Sequence, residues 1–149
     1  MADDLVQLPT VSVRRDLGAT LEECVRSLAT RLAATGRVSD VDAFVADVLA
    51  REAQGATALP GGVALPHARS AAVVAPTVAV ASLPAEVTAT NGQAFDLVFL
   101  LAVPGDRPDD YLRLLRTVTT AVVKAGFRED CRAAETPEQL ASLVSNALA

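Results

Sequence analysis

The run Leu97-Val98-Phe99-Leu100-Leu101-Ala102-Val103 constrains the fold of this chain more than any other feature. It has no polar residue at alternate positions, so neither face of the extended segment can be left in water. Continuous apolar runs of this kind belong to strands covered on both faces. The run is also far short of the ~20 residues that a membrane-spanning helix needs. A second apolar stretch, Ala71–Ala81, is equally short and is interrupted by Pro76. A sheet enclosed between helices follows.

The remaining elements fit that layering. Leu5, Val6, Leu8, Val11 and Val13 predict a short initial strand. Thr20-Leu21-Glu22-Glu23 is a capping box, in which the Thr20 hydroxyl accepts from the amide at Glu23 and the carboxylate reaches back. Leu21, Cys24, Val25, Leu28 and Leu32 then recur at helical spacing, and Gly36 supplies a stop. A second helix starts at Ser39–Asp40, carries Val41, Phe44, Val45, Val48 and Leu49 on its inner face, and runs out near Arg51-Glu52. After the turn-rich segment Gln54–Gly62, Val63-Ala64-Leu65 is a brief strand that Pro66 ends or confines to an edge. Val78–Leu83 predicts another strand. Pro108 opens a third helix with Tyr111, Leu114, Leu115, Val118, Val122 and Ala125 as its inner stripe. Thr136-Pro137-Glu138-Gln139 is a second capping box, opening a last helix that docks through Leu140, Leu143, Val144 and Leu148. Connections of irregular length favour a mixed sheet. The expected fold is α/β, a mixed sheet with helices on both faces, in one domain over 1–149.

Composition removes several functions. Aromatic residues make up 3% of the chain and tryptophan is absent, which leaves few platforms for stacking bases and argues against that mode of recognition. A net charge of −5 with both signs interspersed argues against a nucleic-acid binder. The amino terminus, Met-Ala-Asp-Asp, lacks the basic region and apolar core of a signal peptide. Cys24 and Cys131 are too few for a disulfide framework and read as reduced, half-buried residues of a cytoplasmic protein. One histidine with two distant cysteines does not make a zinc site. Glycine-rich nucleotide loops and a Gly-x-Ser-x-Gly elbow are absent from the sequence.

What remains is the single histidine, His67, within Gly61-Gly62-Val63-Ala64-Leu65-Pro66-His67-Ala68-Arg69. A short strand presents it, Pro66 stiffens the approach, and the glycines allow other backbone close by. Imidazole titrates near neutrality and attacks phosphorus when one nitrogen is free. Its other nitrogen must be held by a carbonyl or a carboxylate, and the sequence leaves open which. A lone histidine is as a rule structural, so chemistry alone leaves both readings standing.

Arg51-Glu52-Ala53-Gln54-Gly55-Ala56-Thr57, followed by Gly62-Val63-Ala64-Leu65-Pro66-His67-Ala68-Arg69, resembles the signature of the fructose/mannitol-type (type-2) IIA components of the bacterial phosphoenolpyruvate-dependent sugar phosphotransferase system. Phe95–Pro104 is similar to that family's central strand, Leu112-Arg113-Leu114-Leu115 to the helix after it, and Thr136–Leu140 to its closing helix. The resemblance runs in order over residues 4–147. It implies a phosphohistidine carrier without a cofactor. His67 would take a phosphoryl group from the histidine-containing phosphocarrier protein, through Nε2, and pass it to a cysteine of a sugar-specific IIB component. Arg51 would neutralise phosphate oxygens, and a solvated arginine at a helix end is its other reading. Thr57 aligns with a hydroxyl that buttresses the site or serves a turn, and Arg69 meets the phosphate or a partner unless it is simply exposed. Tyr111 stands where the family commonly carries a second histidine. A phenol donates one hydrogen bond but stays neutral, and Tyr111 could equally be a packing residue.

Three readings of the role follow from the resemblance. The first is sugar uptake, fructose-like by the Gln54-Gly55-Ala56-Thr57 stretch. A regulatory nitrogen-type IIA protein is the second. The third, motivated by Tyr111, is a non-phosphorylated interaction module.

Overall fold

The structure, a computed structural model, describes residues 5–149. The amino-terminal segment read above as lacking a signal peptide lies outside them. A five-stranded mixed sheet forms the middle layer: β1 (Val11–Ser12), β2 (Val63–Ala64), β3 (His67–Ser70), β4 (Thr77–Thr88) and β5 (Ala94–Pro104). Five helices cover it: α1 (Leu21–Ala34), α2 (Val41–Gln54), α3 (Pro108–Val122), α4 (Ala125–Ala133) and α5 (Pro137–Leu148). The strand order is β1-β4-β5-β2, with β3 on the same flank of β5 as β2. β5 runs antiparallel to β4, Val80 opposite Phe99, and parallel to both β2 and β3.

The apolar run of β5 divides by alternation. Val98, Leu100 and Ala102 join the cluster under α1 and α2, and Leu97, Phe99, Leu101 and Val103 join the one under α3, α4 and α5. The two faces differ in bulk. Ala64, Ala68, Ala79, Ala81 and Ala102 meet α1 and α2, so small side chains let those helices approach closely. The opposite face fills with Val, Leu and Phe.

Caps set the helix starts as local chemistry dictates. The Thr20, Asp40 and Thr136 side chains accept from the amides of Glu23, Ala43 and Gln139. The reciprocal bonds slip by one residue: Glu23 takes the amide of Ala19, and Gln139 that of Glu135.

The structure departs from the sequence reading in four places. His67–Ser70 forms a strand of its own, β3, after Pro66 breaks the ladder, where only Val63–Leu65 was expected. The initial segment is a 3-10 turn at Leu8–Thr10, and only Val11–Ser12 pairs as a strand. Pro9 explains the difference, because it fixes φ and has no N–H for a ladder. The third helix ends at Val122, and Lys124, extended at φ −83° and ψ 119°, starts the additional helix α4. β4 extends beyond Leu83 through an irregularity between Ser82 and Val87, where Pro84 interrupts pairing. Both cysteines are buried free thiols, pushed up by that burial to about 11 for Cys24 and about 12 for Cys131. Both are thus unreactive. Among the described residues no helix is long and apolar enough to cross a membrane.

Candidate phosphoryl-acceptor site

His67 opens β3, opposite Leu101 of β5, and is 3% exposed. Main chain pins its approach on both sides. The Gly62 carbonyl accepts from the amides of Asp96 and Leu97, and the Pro66 carbonyl from that of Leu101. Gly62 adopts φ +85°, and a Cβ there would collide with the end of Arg132, whose Nε donates to both Asp96 oxygens at 2.9 and 3.1 Å. Only glycine suits that position.

Pro66 contributes no N–H to the sheet, so β2 and β3 are separate strands along one edge. In the break between them the Leu65 carbonyl lies 2.7 Å from His67 Nδ1. A carbonyl only accepts, so Nδ1 carries the proton, and the neutral ring keeps a lone pair at Nε2. Burial lowers the His67 pKa, the Leu65 carbonyl opposes that, Arg51 lowers it further and Glu52 raises it. The net direction is downward, toward a neutral nucleophile.

This direction carries a pH prediction. The unfolded histidine titrates at about 6.5, and the folded one lies lower. Below pH 6.5 the unfolded state therefore binds more protons, and stability falls until the folded ring protonates too. Above 6.5 the contribution is fully present. A carbon-13 titration of the ring should give a midpoint below 6.5, and denaturant midpoints should drop from pH 7 to 5 more in the parent than in His67→Gln. A ring midpoint at or above 6.5 would contradict the burial argument.

The other residues expected at the site converge on this edge. Arg51, in the last turn of α2, donates through Nη1 to the Gly55 carbonyl at 2.9 Å, and its charge acts on both His67 and Tyr111. Tyr111, near the start of α3, places its ring 5.7 Å from the imidazole at a tilt of 42°. It also packs against the core, as its place on the inner stripe of the helix predicts. Burial raises its pKa against the lowering effect of Arg51 and Arg69, leaving a neutral phenol. Arg69 is exposed, donates to the Gly105 carbonyl at 3.3 Å, and acts on Tyr111. Thr57 is turned to Glu52, which accepts from its amide at 3.2 Å and from its hydroxyl. Thr57 thus bears on His67 through Glu52.

Sequence reasoning missed three supports. Glu52 closes the loop after α2 and sets a negative charge near His67. The Leu65 carbonyl is the ring's anchor. The Ser70 hydroxyl donates to Asp47 at 2.6 Å and accepts from the amide of Ala72 at 3.1 Å, tying α2 to β3. Asp47 sits one helical turn before Arg51, Glu52 stands within the Arg51–Thr57 signature, and a carbonyl was one of the two anchors expected for the ring.

The site is a buried imidazole with one nitrogen anchored by main chain and an arginine charge acting on it, in a small α/β protein with a mixed sheet. Residues 8–147 match the family described as "Phosphoenolpyruvate-dependent sugar phosphotransferase system, EIIA 2", and the chain belongs to that family of phosphotransfer carriers. It is 37% identical over 129 residues to the PTS system 2-O-alpha-mannosyl-D-glycerate-specific EIIABC component of Escherichia coli (strain K12), covering 84% of this chain and 20% of that protein. The chain therefore spans about a fifth of that relative's length. It is 34% identical over 107 residues to the Nitrogen regulatory protein of Pseudomonas aeruginosa, covering 70% of each. Among solved structures, the complex of enzyme IIAMTL and phosphorylated enzyme IIBMTL from Escherichia coli contains the same fold. The match has a TM-score of 0.77 at 20% identity and covers 95% of this chain and 99% of that one.

Proposed function

We propose that His67 is a transient phosphoryl acceptor in the cytoplasm, charged by the histidine-containing phosphocarrier protein and discharged to the cysteine of a IIB component during sugar uptake. The observation that carries this reading is the 2.7 Å contact between Nδ1 and the Leu65 carbonyl. The Nε2 lone pair forms the new P–N bond while the donor's P–N bond breaks and its electron pair returns to the donor imidazole. The proton stays on Nδ1, donated in its hydrogen bond to the Leu65 carbonyl. A IIB thiolate then attacks phosphorus, and the bonding pair returns to Nε2. Exchange of this kind is close to balanced, so the protein supplies alignment and charge. Arg51 meets the phosphoryl oxygens with a planar set of donors, Arg69 adds charge at the rim, and Tyr111 donates one hydrogen bond. Removing only that hydroxyl, in Tyr111→Phe, should slow acceptance about tenfold with little change in stability, the order expected for a hydrogen bond to a charged group. Rapid-quench kinetics would read it, and an unchanged rate would leave Tyr111 a packing residue.

The sugar reading favours a fructose-like substrate from Gln54–Thr57, beside a relative whose name specifies mannosylglycerate. The likeness to a nitrogen regulatory protein over 70% of both chains supports a second reading, in which the phosphorylation state governs binding to other proteins. Incubation with phosphoenolpyruvate, the first enzyme and the histidine phosphocarrier separates them. Acid-labile label that moves on to a fructose-type or mannosylglycerate-type IIB supports uptake. Label that stays put under both supports regulation. No label at all would overturn phosphoryl acceptance and leave an interaction module.

A further inference from the structure

Beyond the carboxyl end of β5 lies a cleft of about 550 Å³, within the range of small-molecule sites. His67, Arg51, Arg69 and Tyr111 are not among its lining residues. Three arginines reach it: Arg37 from the turn after α1, Arg107 at the start of α3, and Arg113 six residues further along that helix. Leu114 and Leu148 supply an apolar wall, and Asp110 is the single acid. The lining is thus cationic in a chain of net charge −5.

These guanidinium groups are loosely engaged. Arg107 and Arg113 stand 3.8 and 3.5 Å from Asp110, and Arg37 contacts the Pro76 carbonyl and the Thr77 hydroxyl at 3.4 and 3.3 Å. Elsewhere in the same molecule Arg132 Nε donates to both carboxylate oxygens of Asp96, at 2.9 and 3.1 Å. Donors held at such lengths keep most of their hydrogen-bonding capacity for an incoming anion. A tetrahedral dianion can accept from three planar forks at once, whereas a carboxylate offers two oxygens in one plane. The apolar wall gives an attached carbon skeleton somewhere to lie.

We propose that this cleft binds a small phosphorylated organic molecule, held by Arg37, Arg107 and Arg113 with its carbon part against Leu114 and Leu148. The site is independent of phosphotransfer, and its test needs none of the transfer proteins. The full chain, labelled with nitrogen-15, is titrated with ribose 5-phosphate, and separately with inorganic phosphate, ribose and malate. Ribose 5-phosphate should produce saturable shifts centred on the amides of Arg37, Arg107, Arg113 and Leu114, tighter than any of the other three probes. Arg37→Ala and Arg113→Ala should each weaken it at least tenfold while their spectra remain those of the folded parent. Asp110→Asn should tighten it, because a like charge is removed from the site. His67→Gln should bind as the parent does. Shifts centred on His67 and Arg51, equal affinity for malate or inorganic phosphate, or arginine variants that bind like the parent would each overturn the proposal.

Discussion

His67→Gln is expected to abolish phosphoryl uptake outright while the fold persists. Glutamine approaches the volume of histidine, and its amide can still donate to the Leu65 carbonyl that now holds Nδ1 at 2.7 Å. What it lacks is a nucleophilic nitrogen lone pair. The ring is 3% exposed, so a substitution that lost both bulk and hydrogen bond would confuse reactivity with stability. Glutamine separates them, with a stability change of about 1 kcal/mol or less, the net value of one hydrogen bond. Gel-resolved label after incubation with phosphoenolpyruvate and the donor proteins reads the reaction, and urea unfolding reads the fold. Residual label at a tenth of the parent's level would mean that another group accepts the phosphoryl.

The largest stability effect should come from Phe99→Ala. Phe99 is 1% exposed at the middle of β5, pairs across the sheet with Val80, and holds its ring 6.1 Å from that of Phe127 in α4. It belongs to the cluster that joins the sheet to α3, α4 and α5. Truncation would also remove the ring that Phe127 packs against. Truncations of this kind cost about 3–5 kcal/mol, transfer and cavity together, against a typical total of roughly 5–15. A fall of that size in unfolding free energy from urea titration is the expected result. A loss under about 1 kcal/mol would mean that this face is not closed by the helices.

The contrast between these positions reflects what a sequence can carry. Leu97–Val103 was readable because burial on both faces leaves no room for polar residues, and alternation along β5 then assigns each side chain to one layer. Helix starts at Thr20, Asp40 and Thr136 were readable because a cap is decided within four residues. The break at Val123–Lys124 was not, since neither glycine nor proline marks it and the helical spacing continues into Ala125. Pro9 did mark a break, and its missing N–H outweighed the apolar pattern around it.

The site divides in the same way. His67, Arg51, Arg69 and Tyr111 stand out as residue types with chemistry to offer, and the structure gathers them at one edge of the sheet. The Leu65 carbonyl is main chain, common to every residue, and becomes specific only where Pro66 interrupts the ladder. Glu52 acts on His67 by its charge and holds Thr57, and Asp47 holds Ser70. The Asp47–Ser70 pairing depends on how α2 lies along β3, which no local pattern encodes.

The central claim concerns one nitrogen atom. Because His67 is the sole histidine, a nitrogen-15 spectrum of the phosphorylated protein contains a single ring and can be read without assignment. Phosphorus coupling on Nε2, with the Nδ1 proton retained in its bond to Leu65, is the predicted result. Phosphorus on Nδ1, or a phosphorylated protein whose imidazole is unmodified, would contradict it.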